Sequence, residues 1–362
     1  MDNKLKLIGI STLFLLSISI LALIIPSVIA PATIPPTTTI TQPTAIILPS
    51  DAPHLLIFIS PQYHSDNLLF SAIKNYQQAI KEKPGWTSSI IPLTNKSNTF
   101  QSIDHQIETI AQHQNLTACI LIGEDIALPI KTTYNSIQKP TVTTYSTINT
   151  TQQSICISLL HPTPTASYQH RQQELINTFI RFSNKRSLIF NHQSTIIEQQ
   201  TLSTYSQQDY QSLSQQLNIR YHQNINNKQF STLFLQHNDL ICIHGHGQPH
   251  TIQLNSTSPL KLTSTTASLL PTSILAIDGC YTDSIYTDQQ HIPFISTLCS
   301  SNTIHLGFFG LLSQQTQTTQ QNVINTILPN LSNEPTVAQT INNELISFDF
   351  VFTGDPSLQV SI

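Results

Sequence analysis

The chain has 362 residues, 39% of them apolar, so it can bury a substantial core and is not disordered as a whole. Charged residues make up only 9%, far below the usual ~25%, and 15 Lys plus Arg against 19 Asp plus Glu leave a net charge of −4. With no basic stripe to neutralise a phosphate backbone, no nucleic-acid partner is expected, and five cysteines without CxxC spacing exclude a disulfide scaffold.

In chain order, the first segment is a targeting segment. Lys4 and Lys6 precede an uncharged run from Leu7 to Ala30. That run exceeds the ~7 to 15 residues of an ordinary signal peptide and reaches the ~20 that span a bilayer. Residues 1–32 are therefore read as a single membrane anchor. Cleavage as a signal peptide after Ala32 is the competing reading, because Ala30-Pro31-Ala32 supplies small residues. Either way the protein is exported, membrane-anchored with its body outside the cytoplasm or secreted. Residues 33–53, rich in Pro and Thr, form an extended linker.

The folded body begins near His54. The apolar run HLLIFIS at 54–60 predicts a buried strand, and Leu69, Ile73, Tyr76 and Ile80 follow at helical spacing. SSIIPL at 88–93, a second helix through Ile103, Ile107 and Ile110, and ACILIG at 118–123 complete a βαβαβ order. That order predicts a parallel sheet with helices on its faces. SICISLL at 154–160, a helix over about 168–183 and SLIF at 187–190 continue the pattern. The runs DLICIHG at 239–245, SILAIDG at 273–279 and TIHLGFFG at 303–310 each end in Gly and polar residues. A parallel sheet places its site there, outside the carboxyl ends of its strands. The Thr/Gln-rich stretches 138–153 and 313–321 read as loops, Trp86 as packing, and Cys119, Cys156 and Cys242, inside apolar runs, as small buried hydrophobes.

Two strand ends carry chemistry. One delivers His244-Gly245-His246-Gly247, the other Asp278-Gly279-Cys280. A thiol and an imidazole at neighbouring strand ends form a nucleophile and base pair, the imidazole favouring thiolate at neutral pH. The glycines let backbone approach a substrate closely. Alternation places His244 and His246 on the same side of an extended run.

ICIHGHG and ILAIDGC resemble the paired hydrophobic blocks of caspase-like cysteine peptidases, the first ending in His-Gly and the second in a small residue followed by Cys. FVFTGDPSLQV at 350–360 resembles the Gly-Asp-Pro-Ser-Leu segment that closes the catalytic domain of gingipain-type peptidases. HLLIFISPQY, ACILIGEDIALP and ISLLHPTPTASYQHRQQELINTFIRF are similar to that family's opening strands and helices, so the likeness runs over about 54–360. It implies an α/β fold: a caspase-like α/β/α sandwich with a mostly parallel sheet over 186–362, preceded by a smaller related α/β subdomain over 54–185. It implies a cysteine-type endopeptidase without cofactor or metal, acting on protein or peptide substrates. His246 would be the base and Cys280 the nucleophile, with His244 the weaker candidate. The backbone amides of Gly247 and Cys280 would form the oxyanion hole.

The chain departs from the family in several places. Gln248 stands where Ser is common, Gly279 where Ala is common, and the strand expected to supply the carboxylate that orients the histidine ends Asn191-His192-Gln193, with no acid until Glu198. Gln248, Asp209 and Asp283 are the candidates for lining a substrate pocket. A pocket acid would select Arg or Lys substrates, but Asp209 sits in a polar helix start where the helix dipole alone favours an acid, so no strong Arg or Lys preference is expected. Asp355 is read as structural and Asp278 as capping neighbouring backbone. Glu124 and Asp125 are read as loop residues near the site's edge of the sheet. Cys242, His244, His246 and His250 offer a second pattern, that of a metal site, but no carboxylate stands near to complete it. The alternative in another functional class is an inactive caspase-like surface protein that binds a partner.

Overall fold

The computed structural model describes residues 51–126, 130–134, 137–140, 147–148, 153–191, 193–199, 218–248, 250–279, 292–304, 306–309, 330, 336–344 and 351–361. Strand β1 (His54–Ile59) is buried along its whole length. A strand with no polar face needs neighbours on both sides and cover above and below. Both are present. Leu55, Ile57 and Ile59 pack on one face of the sheet with helices α1 (Asn67–Glu82) and α3 (Tyr168–Asn184), whereas Leu56 and Phe58 pack on the other with α2 (Phe100–Ala111).

The helices start where side chains can take their orphan amides. Asp66 accepts from the amides of Leu68 at 3.1 Å and Leu69 at 3.0 Å, and Thr99 and Ser167 cap α2 and α3 in the same way. Helix α1 then buries Leu69, Ala72, Ile73, Tyr76 and Ile80, the apolar stripe read from the sequence. Each fully buried Leu or Ile on such a stripe contributes roughly 1.5–3 kcal/mol.

Strands β2 (Thr87–Pro92), β3 (Leu116–Ile122) and β4 (Cys156–Leu160) join β1 in parallel. The expected strand at 187–190 also forms, as β5 (Ser187–Ile189), but it pairs outside the main sheet. The main sheet instead takes β6 (Gln193–Glu198), β7 (Ile219–Gln223), β8 (Asn238–His244), β12 (Thr272–Asp278), β13 (Leu306–Phe309) and β14 (Val351–Gly354), the labels β9 (Gly247–Gln248), β10 (Thr251–Gln253) and β11 (Lys261–Thr263) belonging to a small antiparallel sheet between β8 and β12. The stretch expected as a loop over 138–153 is partly paired: Ile137–Pro140 runs antiparallel to the preceding Ile130–Tyr134, and Thr147–Ile148 to Gln153–Ser154.

The main sheet runs β7-β6-β8-β12-β13-β14-β4-β3-β1-β2. Every pairing in it is parallel except that of β13 with β14. The strands from β7 to β13 thus run one way and those from β14 to β2 the other, so the two halves put their carboxyl ends at opposite edges. The expectation that Glu124 and Asp125 lie near the edge carrying His246 is therefore incorrect: they follow β3, whose direction is reversed relative to β8. Glu124 there accepts from Tyr63 Oη at 3.1 Å and pairs with Arg171 at 2.9 Å.

The closing Gly-Asp-Pro-Ser-Leu segment anchors the two helices on one face. Asp355, 1% exposed, accepts from Tyr76 Oη of α1 at 2.7 Å and from the Ser357 amide at 3.0 Å, and it pairs with Arg186 just after α3. Burial disfavours the Arg186 charge, but the attraction of Asp355 and Tyr76, together with the Asp355 hydrogen bond, outweighs it and leaves the guanidinium pKa raised. Asp355 is structural, as read from the sequence, though its partners include a buried cation as well as loop amides. Strand β15 (Gln359–Ser361) then pairs with β5.

Among the described residues no helix is long and apolar enough to cross a membrane. The anchor or signal segment and the linker up to residue 50 lie outside the described residues.

Candidate active site

Strand β8 is buried from Asn238 to His244 between β6 and β12, with Glu198, His244 and Asp278 aligned as register partners at the three carboxyl ends. Glu198 and His244, partners in the β6–β8 ladder, project to the same side of the sheet. His244 is 1% exposed and Glu198 fully buried.

The extended run on which the equivalence of His244 and His246 rested ends at His244. Gly245 turns the chain out of the strand, and His246, exposed, leads into the hairpin of β9 and β10. The turn is built on close backbone approach. A Cβ at Gly245 would collide with the Gln253 carbonyl oxygen. A Cβ at Gly279 would lie 3.0 Å from the Gly245 carbonyl oxygen, 3.0 Å from Ile252 Cδ1 and 3.2 Å from Gly247 Cα. Glycine at 279, where the resemblance leads one to expect Ala, therefore lets the end of β12 lie against the His-Gly-His-Gly turn.

The residue after Gly279 is Cys280, which lies outside the described residues, as do Asp209 and Asp283. Gln248 is exposed in β9. The remaining cysteines, Cys119, Cys156, Cys242 and Cys299, are buried. Burial pushes the thiols of Cys119 and Cys156 up, and that of Cys299 up to about 12. Of the metal-site pattern, Cys242 and His244 lie in the buried strand and His250 in the hairpin turn. Among the described residues no group of three His, Cys, Asp or Glu side chains is placed to hold a metal ion.

The sequence places the orienting carboxylate at the end of 187–190, where no acid stands. The strand beside β8 is β6, one element later, and it ends in Glu198. One Glu198 oxygen accepts from Tyr221 Oη of β7, while Oε1 has no hydrogen-bond partner among the described residues. A carboxylate so deep in the sheet and half-satisfied is costly to keep unless a further donor faces it. The signal was present in the sequence as Ser194-Thr195-Ile196-Ile197, a short run with two Ile and a Thr, β-branched residues favoured in strands.

No family model matches the sequence, and no curated protein matches it. Solved structures do. The crystal structure of the Arg-specific cysteine proteinase gingipain R (RgpB) superposes with a TM-score of 0.60 at 15% identity, covering 85% of this chain and 78% of that one. The complex of the RgpB pro- and mature domains from Porphyromonas gingivalis gives 0.59 at 16%, covering 85% and 79%. The chain has the gingipain-type, caspase-like α/β fold with its mostly parallel sheet.

Proposed function

We propose that this chain, starting from a gingipain-type fold, is a cysteine-type endopeptidase working outside the cytoplasm through Cys280 and His246. The observation that carries the reading is the close approach of Gly279 to Gly245 and Gly247, which puts the residue preceding Cys280 against the Gly-His-Gly turn. His246 takes the thiol proton, and the thiolate attacks the scissile carbonyl. The amides of Gly247 and Cys280 hold the oxyanion of the tetrahedral intermediate, an interaction of about 3–4 kcal/mol per donor in the transition state. His246 returns its proton to the leaving amine, and water attacking the thioester with His246 as base frees the enzyme.

Glu198 is the carboxylate proposed to orient the imidazole. It ends the strand next to β8, its Oε1 has no partner among the described residues, and the residue after it bonds the His246 backbone. Protein and peptide substrates follow from the fold, with no strong preference for Arg or Lys expected. The N-terminal segment is proposed to export the body and hold it at the membrane.

Hydrolysis of a peptide library by the full chain and three variants tests the assignment. Cys280→Ala and His246→Ala should abolish cleavage with the fold intact, while His244→Ala should retain it. Loss in His244→Ala with activity kept in His246→Ala would place the base two residues earlier. A wild-type chain that cleaves nothing, with Cys280 inert, would favour the partner-binding alternative.

A further inference from the structure

The end of β6 holds the histidine turn through a second residue. Gln199 follows Glu198 and is 2% exposed. Its backbone N–H donates to the His244 carbonyl oxygen at 3.0 Å, which extends the β6–β8 ladder by one bond. At Gly245 the chain leaves the strand, so the N–H of His246 no longer faces a β6 carbonyl. The Gln199 side chain supplies the missing acceptor, its Oε1 taking the His246 N–H at 3.0 Å. On the other side of the residue, the His246 carbonyl oxygen accepts from the Gln253 N–H at 2.9 Å. Both backbone polar groups of His246 are thus tied, one to β6 and one to β10, and the exposed imidazole is left with only its own side-chain rotations.

We infer that Gln199 is a positioning residue for His246: the side-chain amide at the end of β6 fixes the backbone from which the imidazole reaches Cys280. The inference rests on the assignment of His246 as base. It implies that a neutral side-chain acceptor, one residue beyond β6, sets the direction of the base through its backbone. A buried residue held by one backbone and one side-chain hydrogen bond is suited to this, because misplacement of a base by about 1 Å costs on the order of 100-fold in rate.

The test is the pH dependence of Cys280 alkylation by iodoacetamide in the full chain, with the modified peptide identified by mass spectrometry. Wild type should show a thiolate midpoint below the ~8.5 of a free thiol, and His246→Ala should return it to that value. Gln199→Met, which keeps the unbranched shape without the acceptor, should raise the midpoint by about one unit and slow alkylation at neutral pH about tenfold. If Gln199→Met does not fold, Gln199→Leu is measured in its place. A lowered wild-type midpoint that the acceptor-less variant leaves unmoved, however much its thermal stability falls, would overturn the role of Gln199 alone. A wild-type midpoint equal to that of His246→Ala would overturn the Cys280–His246 pair and the inference with it.

Discussion

Gly279 carries more of the site's geometry than its size suggests, since a methyl group there meets two backbone atoms and Ile252 Cδ1 at 3.0–3.2 Å. Such contacts are tighter than most packed atoms make, so the neighbours must shift by a few tenths of an ångström, and they include backbone, which yields less readily than a side-chain tip. Gly279→Ala should therefore destabilise the chain by about 1–3 kcal/mol and, by pushing β12 off the turn, slow Cys280 alkylation as well. Urea unfolding with the alkylation rate measured on the same variant checks both; an Ala variant with unchanged rate and stability would mean that the turn is looser than described. Two histidines far from the site matter in another way. Burial lowers His54 and His161 to about 4, and His161 is held by Ser296 Oγ at 3.0 Å. In the unfolded chain both titrate near 6.5. Between those values the unfolded state binds more protons, so their contribution to stability is full above about pH 6.5, declines as pH falls toward 4 and levels off below it. The urea midpoint should drop across that window, and His161→Asn should lose part of the slope; a flat profile in wild type would contradict the burial.

At the scale of elements, the sequence carried the strands with continuous apolar runs and the helices with a clear stripe. HLLIFI, LTACILI and NDLICIH each became buried strands within a few residues of their expected bounds. What it did not carry was which strand neighbours which. SLIF at 187–190 is more apolar than QSTIIE at 193–198, so periodicity favours the former as a main-sheet strand, yet it pairs with the last residues of the chain while the polar-flanked segment enters the sheet. Apolarity reports burial, whereas pairing depends on the path of the chain, and the one-element slip hid Glu198. Gln199 was invisible for a related reason: an acceptor is needed only because Gly245 ends the ladder, a fact of the fold. The Arg186–Asp355 pair binds the closing segment to α1 and α3 from within the core, with side chains 10% and 2% exposed. Removing one partner of a buried pair strands the other charge, which costs about 3–5 kcal/mol. Asp355→Ala should lower unfolding stability by that amount, and the added change Arg186→Met should recover part of it. A double variant no more stable than the single one would show that the pair's hydrogen bonds to Tyr76 and Ser357, and not charge burial, dominate.

At the scale of the whole molecule, the antiparallel contact of β13 with β14 divides the sheet into two halves whose carboxyl ends face opposite edges. Glu198, His246 and Gly279 all belong to one edge, which is why a single site can draw on β6, β8 and β12, and why Glu124 with Arg171 belongs to a separate cluster. The central claim is that this edge activates Cys280 while the core silences the other thiols. The direct measurement is the rate at which a thiol-directed peptidyl inhibitor labels each cysteine of the full chain, folded and in denaturant. Cys280 should label much faster in the folded protein than in the denatured one, and Cys119, Cys156, Cys242 and Cys299, buried in the fold, should label only after unfolding. Labelling of Cys280 no faster in the folded chain than in denaturant would contradict the account.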